Sequence, residues 1–380
     1  MDINDSETIL NSTAVSWTVN TTMTTMASLS LHSYPERVVA GFLFLLIAVI
    51  NITGNSMVIL AVIFSKKLRT STNVFVVSLS SADLLAGLAM PISAVALLTP
   101  GNSWPGSTEA PCYIAGLLLY TSACASLYNL ASIALNRLIL IKSPMKWYRI
   151  LYTKCNLVIN VVIIWIVAFA ILIVPPLCGI GDYGYGKKQH TCSNLETHPK
   201  AKMFERIQLF AGYPLPLIII ITSYVMIFYH VRRHFKKQMD AATDTKHESL
   251  GSGDNPTFQR SGDNPTFQRS DSTVVICAER RDRLNRQQLE ITKNLFITVC
   301  AFFICITPYA VALYFPNNES FLVIGGVVFL SNSFLNPIIY AAKHPQFKRV
   351  LRLILRCKYS EIEEPSDTIK YLTAKCCCKS

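Results

Sequence analysis

Seven long apolar runs decide most of what this chain can fold into. Each run continues for about 18 residues or more with at most one charged side chain, which is enough for a helix to cross a hydrocarbon layer about 30 Å thick. Because lipid offers no hydrogen bonds to the backbone, runs of this kind cross a membrane as helices. The predicted spans are Val38–Phe64, Val74–Leu98, Cys112–Ile141, Leu157–Leu177, Ile207–Tyr229, Asn294–Phe315 and Phe321–Ala342.

The composition agrees with a membrane protein. The chain is 51% hydrophobic and 15% charged, whereas soluble domains are about 25% charged. A net charge of +12 would favour nucleic-acid binding in a soluble protein. Here Lys and Arg flank the apolar runs, where they determine orientation in the membrane. We therefore predict an all-α membrane protein, a seven-transmembrane helix bundle in contact with lipid, and no nucleic-acid partner.

Lysine and arginine also predict which way the bundle faces. Of the 35, one side carries six, the other carries 28, and Arg137 lies at the boundary. Since the more basic side faces the cytoplasm, we expect an extracellular amino terminus and a multi-pass protein of the plasma membrane. The first 33 residues lack the pattern of a signal peptide, so the first span should direct insertion. Glycosylation sequons on the predicted outer face begin at Asn4, Asn11, Asn20 and Asn318.

The remaining segments predict the domain organisation. Residues 1–35 form an outer tail, 36–343 the bundle, 344–357 a basic amphipathic helix on the membrane surface, and 358–380 a cytoplasmic tail. The third cytoplasmic loop, 232–288, contains GDNPTFQRS twice, which we interpret as a duplicated loop segment. Cys357 ends the amphipathic helix, where either S-acylation or a free thiol is consistent with the sequence.

Two ionisable side chains lie inside the spans, Asp83 and Arg137. A charge near the membrane centre costs about 2.5–3.5 kcal/mol, so both should face the bundle interior and have partners. A site for a small cation, a protonation switch and a purely hydrogen-bonded knot all remain open for Asp83. Polar residues at a matching depth are Asn55, Ser126, Asn332, Ser333 and Asn336.

Outer cysteines predict one cross-link. Cys112 begins the third span, and Cys192 lies in the loop before the fifth. The extracellular side is oxidising, so we expect a disulfide that holds this loop over the bundle mouth. Cys178 is an alternative partner that the sequence does not exclude.

A series of short motifs, one set in each span, resembles the rhodopsin-like (class A) G-protein-coupled receptors. The resemblance covers about residues 38–357 and excludes the tails and the third cytoplasmic loop. The ordered series is far more specific than any one motif. In chain order the motifs are Gly54–Val58, Leu79–Asp83, Trp104, Cys112 with Cys192, Asn136-Arg137, Trp165, Pro216 with Tyr224, Cys305–Pro308 and Asn336–Tyr340.

This resemblance implies a function and a set of roles. The chain would convert the binding of an extracellular ligand into activation of a heterotrimeric G protein, with arrestin as a second partner, and would not be an enzyme. Apart from an allosteric sodium ion, held by Asp83, Ser126, Asn332 and Asn336, it implies no cofactor. The coupling and switch residues would be Asn136, Arg137, Met145, Tyr224, Phe302, Pro308, Asn336, Pro337 and Tyr340.

Departures from the family pattern predict altered switching. Asn136 stands where the family has an acid, and Gln288 stands where many members place an acid facing the arginine. The usual intracellular ionic contact is thus missing, and we hypothesise raised basal signalling. Ile306 replaces the tryptophan that the family usually has two residues before Pro308, so the common aromatic toggle is absent. Activation would then pass through Phe302 and Tyr309.

The ligand is not identified by the sequence. Leu119 occupies the position where amine receptors carry an aspartate, and the seventh span has no lysine for a retinal Schiff base. With Asn136 in place of the acid, the chain is also similar to melatonin receptors and some related invertebrate orphan receptors. Those relatives usually have tyrosine where Leu138 stands here. The expected pocket would suit a small, weakly polar or lipid-like ligand, although each residue could equally be packing between helices. Its predicted lining is Leu119, Tyr120, Tyr213, Tyr309 and Leu313.

The sequence argues against two other classes of function, a transporter or channel and an adhesion or scaffold protein. A transporter or channel would show inverted repeats, discontinuous helices and several charges at mid-membrane, which this sequence lacks. An adhesion protein would need a longer extracellular segment than the tail of about 35 residues. The sequence also lacks zinc-ligand spacing, a nucleophile elbow and a phosphate-binding loop outside the spans, which argues against an enzyme.

Overall fold

The molecule is described from a computed structural model, in which the described residues are 34–251 and 290–370 except 102, 143–144, 188, 310, 312–318 and 368. Within these residues seven helices are long and apolar enough to cross a membrane, as predicted. They are called the first to seventh spanning helices: Tyr34–Phe64, Ser71–Leu98, Ala110–Lys142, Lys154–Leu177, Ala201–Arg233, Glu290–Tyr309 and Ile324–Lys343.

Some predictions concern residues outside the described part of the chain. They are the four sequons at Asn4, Asn11, Asn20 and Asn318, the pocket residue Leu313, the latch position Gln288, the tandem repeat and the end of the tail. Met145 begins a short helix, Met145–Leu151, in the second cytoplasmic loop.

The fifth spanning helix begins earlier than predicted. It starts at Ala201 rather than Ile207, and it consists of two parts, Ala201–Gly212 and Pro214–Gly251. The apolar run begins only after the charged residues Lys202, Glu205 and Arg206. In the structure these residues are already helical, and their side chains are exposed on the additional turns that precede the run. A helix can extend beyond the hydrocarbon layer wherever its charged side chains reach water, so the end of an apolar run is not the end of a helix.

Small residues let the helices approach closely. A Cβ atom on Gly54 would lie 2.8 Å from Cγ of Pro337, so the first helix packs directly on the proline of the seventh. A Cβ atom on Gly325 would lie 3.1 Å from the Cα atom of Tyr309, which brings the sixth and seventh helices together. The first contact joins two motif residues, and the second places Tyr309, which follows the Cys305–Pro308 motif, against the seventh helix.

An antiparallel hairpin lies at the end of the bundle where the third spanning helix begins, which is the end predicted to be extracellular. Its strands are β1, Tyr183–Gly186, and β2, Thr191–Asn194. A disulfide joins Cys192 in β2 to Cys112 at the start of the third spanning helix, while Cys178 is an exposed free thiol. The predicted pairing is therefore confirmed, and the alternative with Cys178 is not formed.

The amphipathic helix after the seventh span covers Pro345–Leu355, close to the predicted 344–357. His344 caps it, because its Nδ1 atom accepts a hydrogen bond from the backbone N–H of Phe347. Phe347, Val350 and Ile354 are buried, whereas Lys348 and Arg352 are exposed. The tail then folds back onto the loop between the first two spans, which the sequence did not predict.

Candidate functional site

Asp83 is the centre of a buried polar network. One carboxylate oxygen accepts a hydrogen bond from Oγ of Ser126 at 2.9 Å, and the other accepts one from Nδ2 of Asn336 at 2.7 Å. Asp83, Ser126 and Asn336 are almost completely buried, as predicted for a charge inside the bundle. The network therefore links the second, third and seventh helices through one carboxylate.

Amides of the first helix extend this network. Asn51 Nδ2 donates to the backbone carbonyl of Asp83 at 2.8 Å, and Asn55 Nδ2 donates to the carbonyl of Ser333 at 2.9 Å. Asn51 is buried and fits the sequon pattern only by coincidence. Sequence reasoning named Asn55 but missed Asn51, which lies one helical turn before it and therefore on the same face.

A small cavity beside Asp83 fits the implied sodium ion. It holds about 10 Å³ and is lined in part by Ser122, Ser126, Asn332 and Ser333. Oδ1 of Asn332 is buried and has no hydrogen-bond partner among the described residues. Ser126, which also lines this cavity, donates its hydrogen bond to the Asp83 carboxylate. A buried acceptor in a space the size of one water, next to a side chain bound to a carboxylate, suits a small cation with oxygen ligands. Asp83, Ser126 and Asn332 would hold the ion, which would supply a positive charge that stabilises the buried carboxylate.

The cytoplasmic end of the third helix carries Asn136 and Arg137, both buried. Oδ1 of Asn136 accepts a hydrogen bond from the Thr72 hydroxyl at 2.6 Å, and its Nδ2 donates to the Tyr148 hydroxyl at 3.4 Å. Arg137 lies within electrostatic range of the hydroxyls of Tyr148 and Tyr224. Asn136 thus holds the second helix and the second cytoplasmic loop by neutral hydrogen bonds rather than an ion pair.

Two tyrosines near this end have buried hydroxyls without a hydrogen-bond partner among the described residues, Tyr224 and Tyr340. Their rings are packed, Tyr224 against Phe296 and Tyr340 against Phe347, with ring centroids 5.0 and 5.7 Å apart. A buried hydroxyl without a partner is energetically costly, so an arrangement that gives these hydroxyls a partner would be favoured. That cost reduces the free-energy difference between this arrangement and a second one in which the hydroxyls are paired.

His344 adds a titratable group at the cytoplasmic end. Burial, and secondarily the charge of Arg137, lowers the pKa of His344 from 6.5 to about 4. The imidazole is therefore neutral near pH 7, as its role as a hydrogen-bond acceptor in the helix cap requires.

The sixth helix brings its predicted switch residues next to the seventh. Phe302 is buried and lines the small cavity beside Asp83. A Cβ atom placed on Gly325 would lie 3.3 Å from the backbone carbonyl carbon of Pro308. Ile306 packs against the main apolar cluster in place of the family tryptophan. A shift of this helix therefore changes the packing directly around the Asp83 network.

The extracellular half of the bundle contains an apolar cavity of about 60 Å³. Three of the predicted pocket residues line it, Leu119, Tyr120 and Tyr309, and the two tyrosine hydroxyls lie 3.4 Å apart. Tyr213 is not in the lining but packs against the apolar cluster below. Lining residues that the sequence reasoning missed include Phe44, Leu97, Gln189, Phe329 and Leu330, which share only their position in the outer half.

A family model described as 7 transmembrane receptor (rhodopsin family) matches residues 54–340, from the Gly54 motif to Tyr340. This chain belongs to the rhodopsin family of seven-transmembrane receptors. The family accounts for the seven spans, the buried Asp83 and the arginine at the cytoplasmic end.

Individual relatives of this rhodopsin-family receptor are distant. The Drosophila melanogaster protein trapped in endoderm-1 is 27% identical over 330 residues, covering 85% of this chain and 78% of that protein. The Canis lupus familiaris histamine H2 receptor is 26% identical, covering 88% and 84%. A GQ-coupled rhodopsin from Mizuhopecten yessoensis is 24% identical, covering 82% of this chain and 58% of that protein.

The crystal structure of squid rhodopsin has the same fold. Its TM-score is 0.67 at 17% identity, and the alignment covers 90% of this chain and 92% of that one. Its membership of the rhodopsin family makes the receptor a multi-pass membrane protein that functions in G-protein-coupled signalling, with a heterotrimeric G protein as its partner. These comparisons give no support to a transporter.

Proposed function

We propose that this receptor lies in the plasma membrane with its amino terminus outside, and that a small, weakly polar or lipid-like ligand binds in the extracellular cavity. The observation that carries the ligand class is the lining, where Leu119, Leu97 and Phe329 surround one pair of phenolic hydroxyls. A cationic amine would have no carboxylate counter-ion among these lining residues. One or two hydrogen bonds to Tyr120 and Tyr309 would orient an otherwise apolar ligand.

The size of the cavity adds a requirement. About 60 Å³ is less than a ligand of ordinary size fills, so binding must displace side chains that close the cavity. Gln189, Thr191 and Ser193 belong to the hairpin segment that the disulfide holds over this opening. Ligand binding would then act on the same helices that surround Asp83, because Leu119 and Phe329 line both cavities.

A ligand screen with G-protein dissociation as the readout tests the proposal. A ligand of the expected class should lose potency about tenfold in Tyr120→Phe or Tyr309→Phe, since each variant removes a hydroxyl of the pair. Tyr113→Phe is the matched control, because Tyr113 lies on the same helix as Tyr120 but outside the cavity lining. A ligand whose potency is unchanged in both pocket variants would argue against binding at this site.

The same framework includes three further proposals. Arrestin is expected to bind the active cytoplasmic face, and a sodium ion beside Asp83 is expected to favour the inactive state. Basal signalling is expected to be raised, because Asn136 makes neutral hydrogen bonds where the family has a charged contact. Replacing sodium by potassium should raise basal signalling in the native receptor and have no effect in Asp83→Asn.

A further inference from the structure

The tail segment 362–367 is docked on the loop between the first two spanning helices through one antiparallel bridge at Pro365. The backbone N–H of Lys66 donates to the carbonyl of Glu364, and the N–H of Ser366 donates to the carbonyl of Phe64, both at 2.8 Å. These reciprocal bonds form an antiparallel bridge in which Pro365 lies opposite Ser65. We call residues 362–367 the tail clasp.

An apolar anchor holds one end of the tail clasp. Ile362 is 3% exposed and belongs to the same apolar cluster as Leu68, Val350 and Ile354. Burying an aliphatic side chain removes it from water, so the contact favours docking independently of charge. The tail clasp therefore lies in a groove between the first loop and the surface helix.

Charge complementarity fixes the acidic side chains. Glu363 contacts Nζ of Lys67 at 2.6 Å and also contacts the guanidinium of Arg349, while Asp367 contacts Nζ of Lys66 at 2.8 Å. These neighbours hold the pKa values of Glu363 and Asp367 below their ordinary values. Glu363 is thus bound at once by the first loop and by the surface helix, so one carboxylate bridges two separate elements.

Glu363 also lies at the cytoplasmic opening of the bundle. It lines a cavity of about 460 Å³ together with Glu290 and Ile291 of the sixth helix. Above this cavity Asn294 of the sixth helix donates a hydrogen bond to the carbonyl of Lys343, at the end of the seventh helix, at 2.9 Å. The tail clasp is consequently next to the helix ends that must separate for a partner to enter.

We propose that the groove between the first cytoplasmic loop and the surface helix is a binding site for an acidic peptide segment, that the tail clasp is its internal ligand, and that docking opposes G-protein coupling. The surface helix follows the seventh helix directly at His344. A shift of the seventh helix moves Arg349 relative to Lys67 and breaks the bridge through Glu363. Docking therefore stabilises the closed arrangement by the free energy that this bridge contributes. The inference rests on the family function of G-protein coupling.

Reversible cross-linking tests the docking and its effect together. The full-length variant Ser65→Cys with Pro365→Cys should form a disulfide under mild oxidation, because Ser65 and Pro365 are a non-hydrogen-bonded pair of the antiparallel bridge. The Cα atoms of such a pair are about 4.5 Å apart, which is within the range of about 4.4–6.8 Å that disulfides span. Each single-cysteine variant is the control for cross-links to native cysteines. The oxidised double variant should activate purified G protein less than its reduced form, while the oxidised single variants should not change.

The outcomes separate the parts of the proposal. Absence of the cross-link in a receptor that reaches the membrane would overturn the docking. A cross-link that leaves G-protein activation unchanged would overturn the inhibitory role. Failure of the native receptor to activate any G protein would instead contradict the family function itself, so the failures are distinguishable.

Charge exchange gives a second test that needs no cross-link. Glu363→Lys should raise ligand-free G-protein activation about twofold, since it places a cation against Lys67 and Arg349. Adding Lys67→Glu should restore part of the native value. Glu361→Lys is the matched control, because Glu361 contacts only Lys358 within the tail among the ion pairs described. Equal effects of Glu363→Lys and Glu361→Lys would contradict the proposed groove.

Discussion

Replacing Asn136 by aspartate should lower ligand-free signalling. In the structure the Asn136 side chain is fully buried, accepts a hydrogen bond from Thr72 and donates one to Tyr148. An aspartate is the same size and keeps the acceptor for Thr72, and the Tyr148 hydroxyl can turn to donate to it. The change therefore adds a negative charge one residue from Arg137 with little change in packing.

The expected magnitude follows from the difference between neutral and charged hydrogen bonds. A neutral bond contributes about 0.5–1.5 kcal/mol and one to a charged group about 1.5–3 kcal/mol, so the closed state should gain about 1 kcal/mol. Since about 1.4 kcal/mol is a factor of ten, the active fraction without ligand should fall about fivefold. Burying the new charge costs less than usual, because Arg137 is already buried beside it.

The assay is G-protein dissociation without ligand, in cells matched for receptor number at the surface. Asn136→Leu is the matched control, since it removes both hydrogen bonds without adding charge and should raise basal signalling. Thr72→Val, which removes the 2.6 Å bond from the other side, should act in the same direction as Asn136→Leu. Unchanged or increased basal signalling in a well-expressed Asn136→Asp receptor would refute the reasoning.

Three further predictions concern stability. Burial lowers the pKa of His344 from 6.5 to about 4, so the native state resists protonation that the unfolded state accepts. The melting temperature of the purified receptor should therefore be highest above pH 6.5 and fall as the pH drops toward 4. His344→Asn, which keeps the helix cap, should show a smaller fall between the two values. Gly54→Ala should lower the melting temperature, since the new Cβ atom would lie 2.8 Å from Pro337 and overpacking costs about 1–3 kcal/mol. A melting temperature equal to the native value would mean that the first and seventh helices can move apart freely. Cys112→Ser should destabilise the extracellular end by about 2–5 kcal/mol through loss of the bond to Cys192, measured as a lower melting temperature, and Cys178→Ser, which removes a free thiol, should have no such effect.

The seven spans could be predicted because lipid imposes a length and a composition on each helix. The start of the fifth helix could not, since Lys202, Glu205 and Arg206 end the apolar run but not the helix. Where a helix extends into water, the sequence carries no sharp boundary signal, and the limits come from packing against the hairpin.

The candidate site was partly predictable for a similar reason. Ser126 and Asn336 were predicted to be neighbours of Asp83 because they lie at the same depth in the membrane, and the structure has both hydrogen bonds. Depth can be counted from the sequence, since each helical residue adds about 1.5 Å. Depth does not give rotation about the helix axis, so Tyr213 was expected in a cavity that it does not line. Phe44 and Leu97 line this cavity because of how the first two helices are rotated about their axes, and depth along a helix does not give that rotation.

The docked tail could not have been read from the sequence at all. Ser65 and Pro365 are far apart along the chain, and the residues around them are ordinary loop and tail residues. Acidic residues in a tail and basic residues in a loop are common, and each exposed pair contributes little free energy. Only the backbone pairing and the buried Ile362 show that the two segments are bound to each other.

The central claim is that the bundle is a two-state switch with Arg137 at its cytoplasmic end. Nucleotide exchange on a purified heterotrimeric G protein, driven by the receptor in lipid nanodiscs, tests it most directly. The native receptor should raise exchange above the receptor-free level, and Arg137→Ala, with a matched melting temperature, should reduce exchange to that level. Equal exchange by the two receptors would contradict the account.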